Sequence, residues 1–202
     1  MNDREKIFAE IREALAQRKT RQPRPEIDLS RIVAEDRLSD ASLWDAFRRN
    51  FESVRGKYCA DVDGLNAFFQ EQEMRCGYCD PALRESVGRH LDDSLEVVAE
   101  YDRTRADAIQ FGITRASGVI AETGTIVLKD EHTVNRLAAV APWIHVAVVK
   151  RERIYRTVLD AIEDFGSDPN IIFVTGPSKT ADIEGILIEG VHGPGEQVCL
   201  VV

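Results

Sequence analysis

The sequence predicts an α/β protein with a mainly parallel central sheet flanked by helices. Two apolar runs, residues 143–149 and 170–175, have the length and composition of strands that are covered on both faces. Between them, residues 151–165 carry apolar side chains at helical spacing. A strand–helix–strand unit joins parallel strands, so we expect these two strands to be neighbours in one parallel sheet.

Residues 1–40 are predicted to be an N-terminal helix and a linker. The helix is expected over residues 4–18, and its apolar positions recur at helical spacing: Ile7, Phe8, Ile11, Ala14 and Leu15. Residues 20–29, which contain Pro23 and Pro25, are typical of a linker. The α/β domain is then expected to occupy residues 41–202.

Periodicity and capping signals predict the remaining elements. Helices are expected over residues 42–54, 63–72 (capped by Asp63), 81–91 and, in a short form, 104–109. Strands are expected over residues 58–62, 95–98, 118–121, 125–128, 186–189 and 198–202.

Charge and composition exclude several classes of protein. Lys and Arg total 26 against 35 Asp and Glu, a formal net charge of −9, so a nucleic-acid partner is not expected. No apolar stretch reaches the roughly 18 residues of a membrane-spanning helix. The first residues lack the apolar core of a signal peptide, which predicts a cytoplasmic protein.

The four cysteines do not predict a cofactor. Cys76 and Cys79 form one Cys-x-x-Cys pair, whereas a structural zinc site needs a second pair and a four-iron cluster needs a longer series. Cys59 and Cys199 are isolated, and a chain of this type is not expected to form disulfides. The sequence therefore predicts no metal and no cofactor, and it favours small apolar side chains near a turn over a redox pair.

Residues 175–195 combine the features of an anion-binding site. If residues 170–175 form a parallel strand, this stretch starts at its carboxyl end, where open α/β sheets bind ligands. Gly176 permits a sharp turn, and Lys179 supplies a cation. Ser178 or Thr180 could cap a helical turn whose free N–H groups favour an anion. A simple strand-to-helix turn is the alternative.

The same stretch contains other reactive groups. Asp182 and Glu184 could perform acid–base chemistry or hold a divalent cation, with solvated charges at a helix start as the alternative. His192 and Gly193 lie in a glycine- and proline-rich turn, where an exposed imidazole is suited to proton transfer near neutrality. An incidental histidine in a common type of turn is equally compatible with the sequence.

An earlier turn, Glu122-Thr123-Gly124, separates two β-rich runs. A carboxylate held between apolar strands is partly removed from water, which increases its reactivity. Arg115 and Ser117 precede the turn and could contact an anion. A surface hairpin turn is the alternative.

The remaining histidines are expected to be structural or unpaired. His145 lies in an apolar run near the start of its strand, which favours a core histidine bonded to the backbone. His90 and His132 have no convincing partners in the sequence.

Four motifs taken together resemble the LUD-domain family, most closely the lactate-utilisation protein C type. In order they are GVIAETGT at 118–125, PWIHV at 142–146, TGPSKTADIE at 175–184 and GVHGP at 190–194. One departure is Lys179, where arginine is common, which keeps the charge but loses the bidentate fork. The resemblance implies a three-layer, Rossmann-like fold similar to ribose-5-phosphate isomerase, glucosamine-phosphate deaminase and CoA-transferases.

The resemblance also implies a function. It indicates a role in a three-component system that oxidises L-lactate to pyruvate beside iron–sulfur proteins, and this chain lacks the cysteine series of the iron–sulfur component. Residues 175–195 become the expected functional face, with the Glu122 turn as its neighbour. The expected catalytic residues are Glu122 and His192, and the expected ligand-binding residues are Thr123, Gly124, Gly176, Ser178, Lys179, Thr180, Asp182, Glu184 and Gly193.

Three functions stay open on the sequence alone. The first is a non-redox subunit of a lactate-oxidising complex that binds a small anion or a partner through residues 175–195. The second is an independent transferase or isomerase that uses Glu122, because Glu-Thr-Gly resembles the Glu-Asn-Gly element that carries the nucleophile of CoA-transferases. The third is an assembly protein without a ligand.

Overall fold

The computed structural model describes residues 2–17, 28, 33–133, 135–165, 170–181 and 187–202. The chain divides into two compact units, Met1–Ile32 and Val33–Val202. The expected division into residues 1–40 and 41–202 stays a prediction. No helix within the described ranges is both long enough and apolar enough to cross a lipid bilayer.

The first unit contains helix α1, Asp3–Ala16. It begins at a capping box, in which the Asn2 side chain accepts a hydrogen bond from the Glu5 amide (2.9 Å) and the Glu5 carboxylate accepts one from the Asn2 amide (3.0 Å). The predicted N-terminal helix is confirmed over these residues. Residue 18 and most of the predicted linker lie outside the described residues.

The second unit is built on a central sheet that has six strands within the described residues, and every pair is parallel. Across the sheet the order is β1 (Lys57–Cys59), β12 (Glu196–Val201), β7 (Ile144–Val149), β4 (Phe111–Arg115), β2 (Cys76–Cys79) and β3 (Glu96–Val98). The predicted α/β class with a mainly parallel sheet is confirmed.

Both faces of the central sheet are covered, as the apolar composition of its strands predicts. In β7 the side chains of Val146 and Val148 belong to one core cluster, which also includes residues of α3 (Val62–Glu71). Ala147 and Val149 belong to a second cluster, to which α2 (Leu43–Ser53) contributes Phe47 and Phe51. Burying each of these phenylalanines stabilises the fold by about 1.5–3 kcal/mol.

A mixed sheet with four strands in the described residues lies on the α2 side of the core. Its order is β8 (Ile154–Tyr155), β5 (Gly118–Ile120), β6 (Thr125–Lys129) and β9 (Ile171–Val174). Val119 of β5 and Ile126 and Leu128 of β6 share the core cluster with Phe47 and Phe51 of α2. The β5–β6 hairpin that the sequence predicts is confirmed.

The predicted strand–helix–strand unit is wrong. Strand β9 is not a neighbour of β7 but pairs antiparallel with β6. After β7 the chain first forms β8, which pairs with β5, so the chain has left the central sheet before helix α5 (Val158–Asp164) begins. Strand β9 lies at an edge of the mixed sheet and exposes 45% of Phe173, so it is not covered on both faces.

Several local predictions also need correction. Residues 81–91 form two short 3₁₀ turns in place of a helix, Pro81–Leu83 and Gly88–His90. Helix α3 is capped by Asp61, whose carboxylate accepts from the Gly64 amide (2.8 Å), and not by Asp63. Strands β2 and β4 and the short helix α4 (Leu137–Val140) were not predicted. Strand β2 contains glycine and is only four residues long, so its burial between two neighbours is not visible in the local sequence.

Candidate functional site

The two predicted loops, residues 175–181 and residues 190–195, lie side by side and are joined by hydrogen bonds. Strands β10 (Lys179–Ala181) and β11 (Leu187–Glu189) form an antiparallel hairpin. The Ser178 amide donates to the Pro194 carbonyl (2.9 Å), and the Gly190 amide donates to the Ser178 carbonyl (3.0 Å). We call the described parts of residues 175–195 the hairpin face. A strand, not the predicted helical turn, follows Ser178, so neither Ser178 nor Thr180 caps a helix.

The hairpin face lies at the amino ends of the central strands. Residues 190–195 directly precede β12, and the Glu196 amide donates to the carbonyl of Trp143, which directly precedes β7 (3.0 Å). The prediction that this stretch begins at the carboxyl end of a parallel strand is therefore wrong, because β9 belongs to the mixed sheet.

The glycines of the hairpin face make room for protein side chains and backbone. A Cβ on Gly190 or on Gly195 would overlap the indole ring of Trp143, and Gly190 has a φ of 79°. A Cβ on Gly176, whose φ is 80°, would overlap the Val54 carbonyl at the end of α2. Close packing thus accounts for these glycines without a ligand.

Lys179 is engaged by the protein itself. Its Nζ donates to the Val54 carbonyl (3.4 Å) and lies 3.7 Å from Oε1 of Glu189, which also pairs with Nη1 of Arg55 (2.9 Å). A cation next to the last carbonyls of a helix stabilises the helix dipole. The charge predicted to hold an anion therefore supports the end of α2 in this structure.

His192 is exposed, and no hydrogen bond or ion pair of its ring is found with the described residues. Gly193 lies against Ser178, whose Cβ would be 3.1 Å from a Cβ at position 193. Asp182 and Glu184 lie outside the described residues. Nothing in the hairpin face places a general base or acid beside His192 within the part of the chain that is described.

Glu122 is held by backbone amides from two segments. Its side chain is 7% exposed, its Oε1 accepts from the Ala34 amide (2.7 Å), and its Oε2 accepts a long bond from the Val158 amide (3.4 Å). Val158 is the first residue of α5, where free N–H groups favour a carboxylate. The turn is buried rather than a surface hairpin, and its carboxylate connects the segment before α2 to the start of α5.

The Glu122 turn also packs beneath α2. Gly124 has a φ of 64°, and a Cβ there would overlap the backbone of Asn50 and Phe51. A chain of hydroxyl groups runs from Thr123 to Thr125 (2.7 Å) and from Thr125 to Thr175 (2.8 Å). The turn is thus a neighbour of the hairpin face, as the resemblance implies.

A cavity of about 550 Å³ lies at the opposite end of the central sheet, and we call it the edge cavity. The carboxyl ends of strands β4, β7 and β12 lie at the edge cavity. Its polar lining residues come from four separate stretches of the chain: Ser86, Arg115, Ser117, His132, Lys150 and Arg153. Small and branched apolar side chains complete the walls, among them Ala82, Leu83, Ala116 and Val148.

Hydrogen bonds hold the polar groups of the edge cavity in place. Nε and Nη2 of Arg115 donate to the His132 carbonyl (3.0 and 2.9 Å), and Nε of Arg153 donates to the Ser117 carbonyl (3.0 Å). The Ser117 hydroxyl bonds to Nδ1 of His132 (2.8 Å). The prediction that His132 has no partner is wrong. Burial lowers the pKa of His132, Glu131 opposes this shift, and Arg115 adds to it.

His145 is a core histidine, as predicted, but its partners are side chains. Its Nε2 bonds to the Thr114 hydroxyl (2.9 Å), and its Nδ1 bonds to Oε1 of Gln197 (3.0 Å). Burial lowers its pKa to about 4, so the ring is neutral near pH 7.

The cysteine pair is buried in the central sheet. Cys76 and Cys79 lie at the two ends of β2, three positions apart, so their side chains leave opposite faces of the strand. Burial raises the pKa of Cys79 to about 12, which keeps the thiol protonated and unreactive. Among the described residues, no three His, Cys, Asp or Glu side chains are placed to hold a metal ion.

Comparison with known proteins places this geometry in a family. The LUD-domain model matches residues 1–202. Lactate utilization protein C of Oceanobacillus iheyensis is 29% identical over 82% of this chain and 72% of that protein. The protein of the same name from Deinococcus radiodurans is 36% identical over 60% of this chain and 58% of that protein.

A solved structure supports the fold. The crystal structure of a DUF162 family protein from Deinococcus radiodurans matches with a TM-score of 0.56 and 20% identity, over 81% of this chain and 100% of that one. The match of the family model to the full length, with the parallel sheet and the four motifs, establishes that the chain belongs to the LUD-domain family.

Proposed function

We propose that this protein is a non-redox subunit of an L-lactate utilisation system, which oxidises L-lactate to pyruvate together with iron–sulfur proteins. Relatives named lactate utilization protein C support the assignment to lactate utilisation. The burial and raised pKa of Cys79 support a non-redox role, because a protonated thiol inside a sheet is neither a good metal ligand nor a nucleophile.

The hairpin face is the proposed contact with an iron–sulfur partner. The observation that carries this proposal is a set of exposed apolar side chains on β11, on the following loop and before β7. Their exposed fractions are 66% for Leu187, 44% for Ile188, 52% for Val191 and 48% for Trp143. Trp143 lies against Gly190, directly after β11, so the indole is next to the end of the hairpin. Leu187 and Ile188 are consecutive in β11 and leave opposite faces of the strand, so the hairpin exposes an apolar side chain on each face. Aromatic and aliphatic residues in such a patch are typical of protein interfaces.

The same face is proposed to bind a small anion only after rearrangement. Lys179 is already engaged by the Val54 carbonyl and by Glu189, so an anion would have to displace the Glu189 carboxylate. His192 is exposed and could then contact the anion. The geometry therefore favours a partner protein over a small ligand at this face.

Growth tests the proposed function. Deleting the gene should abolish growth on L-lactate and leave growth on pyruvate unchanged, and the wild-type gene supplied on a plasmid should restore growth. Normal growth of the deletion strain on L-lactate, in a host without a second copy, would overturn the proposal.

A pair of matched variants tests the contact surface. Val191→Asp places a charge in the hairpin face, and Ile162→Asp places one at a similarly exposed position of α5 (54% exposed). Val191→Asp should reduce co-purification with the iron–sulfur proteins and slow growth on L-lactate, whereas Ile162→Asp should do neither. Equal effects of the two variants would contradict a partner contact at the hairpin face.

A second candidate function is an independent transferase or isomerase that uses Glu122. The buried position of the carboxylate favours it, because a carboxylate shielded from water is a stronger nucleophile. Glu122→Gln keeps the shape and one acceptor oxygen. If the variant melts like the wild type and loses CoA-transferase or sugar-phosphate isomerase activity, the candidate stands; if every such activity is unchanged, it fails.

A further inference from the structure

We infer that the edge cavity is a binding site for a small organic dianion, either a phosphate ester or a dicarboxylate. This site is separate from the hairpin face, since it lies at the carboxyl ends of β4, β7 and β12 and the hairpin face lies at the amino ends of β7 and β12. Ligands of open α/β sheets bind at the carboxyl ends of the strands.

The charge of the edge cavity is opposite to that of the whole chain. Arg115, Lys150 and Arg153 line it, and no Asp or Glu side chain is among its lining residues in the described part of the chain. The sequence as a whole carries a net charge of −9. A local cluster of cations on an acidic protein concentrates field lines in the cleft and attracts anions.

The ion pairs of the cationic side chains that line the edge cavity indicate that its ligand is a dianion. Arg153 is paired with Asp164, whose Oδ2 lies 3.0 Å from Nη2. Arg115 and Lys150 have no carboxylate within ion-pairing distance among the described residues. Burial lowers the pKa of His132, which favours its neutral form, so the histidine is not counted among the cations. Arg115 and Lys150 are therefore the two cations of the cavity that a ligand with two negative charges would pair with.

Two acidic groups, Glu131 and Asp80, lie outside the lining of the edge cavity. Glu131 lies 2.5 Å from Nζ of Lys129 and 3.7 Å from Nδ1 of His132. Asp80 follows β2 at the same edge of the sheet and is 1% exposed. Its Oδ1 accepts from the Ala82 amide (2.9 Å), and its buried Oδ2 has no hydrogen-bond partner among the described residues. Neither carboxylate lines the cavity.

The recognition groups are already ordered. Arg115 is held by the His132 carbonyl and Arg153 by the Ser117 carbonyl, so binding costs little of the side-chain entropy that a free arginine would lose. The Ser117 hydroxyl and the His132 ring add polar groups for a hydroxyl or carbonyl of the ligand. The volume of about 550 Å³ lies within the range of roughly 300–1,000 Å³ that is common for small-molecule sites.

Calorimetric titration of the full-length protein tests the site. The probes are glycerol 3-phosphate, L-malate, inorganic phosphate and L-lactate, each at low and at moderate salt. We expect glycerol 3-phosphate or L-malate to bind about tenfold or more tightly than L-lactate, which carries one charge, and to bind more weakly as salt increases. Tighter binding of glycerol 3-phosphate identifies a phosphate ester as the ligand class, and tighter binding of L-malate identifies a dicarboxylate.

Matched variants locate the binding. Lys150→Ala removes an exposed cation of the cavity, and Lys6→Ala removes an exposed cation of α1 as a control. Lys150→Ala should weaken binding of the dianion about tenfold without a change in the melting temperature, and Lys6→Ala should leave both unchanged. Arg115→Gln should abolish binding, and circular dichroism reports whether that variant is folded.

Each other outcome overturns the inference. It is wrong if no dianion binds, if L-lactate binds as tightly as the dianions, or if Lys150→Ala and Lys6→Ala behave alike. Inorganic phosphate binding without either organic dianion would also contradict it. The result is independent of the proposed function, because growth on L-lactate tests the subunit role and calorimetry tests the cavity.

Discussion

At the scale of single residues, the glycines of the family motifs are explained by contacts within the protein. Gly124 and Gly176 both adopt positive φ angles, and both lie where α2 passes close to a turn. Gly190 and Gly195 lie against the indole ring of Trp143. A glycine-rich loop is a common sign of a ligand site, but in these loops the missing side chains make room for a helix and an aromatic ring.

Gly124→Ala should destabilise the protein strongly. Its φ of 64° is unfavourable for alanine, and the added Cβ would overlap the backbone of α2. We expect the free energy of unfolding to fall by at least about 2 kcal/mol in urea titration. Gly88→Ala is the control, because its Cβ would meet nothing closer than 3.6 Å. Similar effects of the two substitutions would contradict the close approach of the Glu122 turn to α2.

His145 should make stability depend on pH below neutrality. Its pKa is about 4 in the folded protein against 6.5 for the ordinary side chain, so between these values the unfolded chain binds a proton that the folded protein excludes. Stability should therefore fall as the pH drops from 6.5 towards 4, by about 3 kcal/mol in total from this group. In urea titrations at several pH values, His145→Gln should show a shallower fall than the wild type. Parallel curves would contradict the assignment.

At the scale of elements, α2 organises the predicted site. Its Asn50 anchors the Glu122 turn, its side chains Phe47 and Phe51 fill the core beneath the mixed sheet, and the Val54 carbonyl at its end receives Lys179 and lies against Gly176. The Glu122 turn and the hairpin face are therefore positioned by one helix. This arrangement supports a common role for the Glu122 turn and the hairpin face, although the two are far apart in the sequence.

Asn50→Ala should disturb the Glu122 turn. The buried amide of Asn50 donates to the carbonyls of Ala121 (2.8 Å) and Arg37 (2.9 Å). Its loss leaves the buried Ala121 carbonyl without this donor, whereas the Arg37 carbonyl keeps the bond from Nη2 of Arg49 (2.9 Å). We expect a loss of about 1–3 kcal/mol in the free energy of unfolding. Glu52→Ala, on the exposed side of the same helix, should change it by less than about 0.5 kcal/mol. A loss of the same size in both variants would mean that helix propensity, not the buried amide, is responsible.

At the scale of the whole molecule, the buried core lies within residues 33–202. All core clusters of the described residues are formed by this unit. The segment before α2 belongs to it, because Leu38 is buried and the Ala34 amide donates to Glu122. The edge cavity and the hairpin face are also contained in it.

Two truncated chains test where the domain begins. Residues 33–202 should fold cooperatively, since they contain every core cluster that the described residues form. Residues 41–202, the domain predicted from sequence, lack Leu38 and the Ala34–Glu122 bond and should be about 2–3 kcal/mol less stable. Thermal unfolding followed by circular dichroism compares the two. Equal stabilities would favour the boundary at residue 40.

The sequence by itself determined the local elements and the family. Helix α2, the β5–β6 hairpin and strands β7 and β12 follow from apolar periodicity and from capping by residues such as Ser42, which are local properties. Four short motifs were enough to indicate the LUD-domain family, because backbone turns and close approaches tolerate few residue types.

Only the tertiary structure decided which strands pair and which end of the sheet carries each loop. The apolar run that became β9 could have joined either sheet, and its pairing with β6 depends on contacts that are distant in sequence. The edge cavity was not predicted as a site, although Arg115 and Ser117 were named as possible anion contacts. Lys150 joins them because the parallel strands β4 and β7 bring their carboxyl ends to one edge. His132 and Arg153 come from the mixed sheet side and join through their hydrogen bonds to Ser117. Local sequence patterns specify the helices and strands. The site forms only where segments that are distant in the sequence pack against one another.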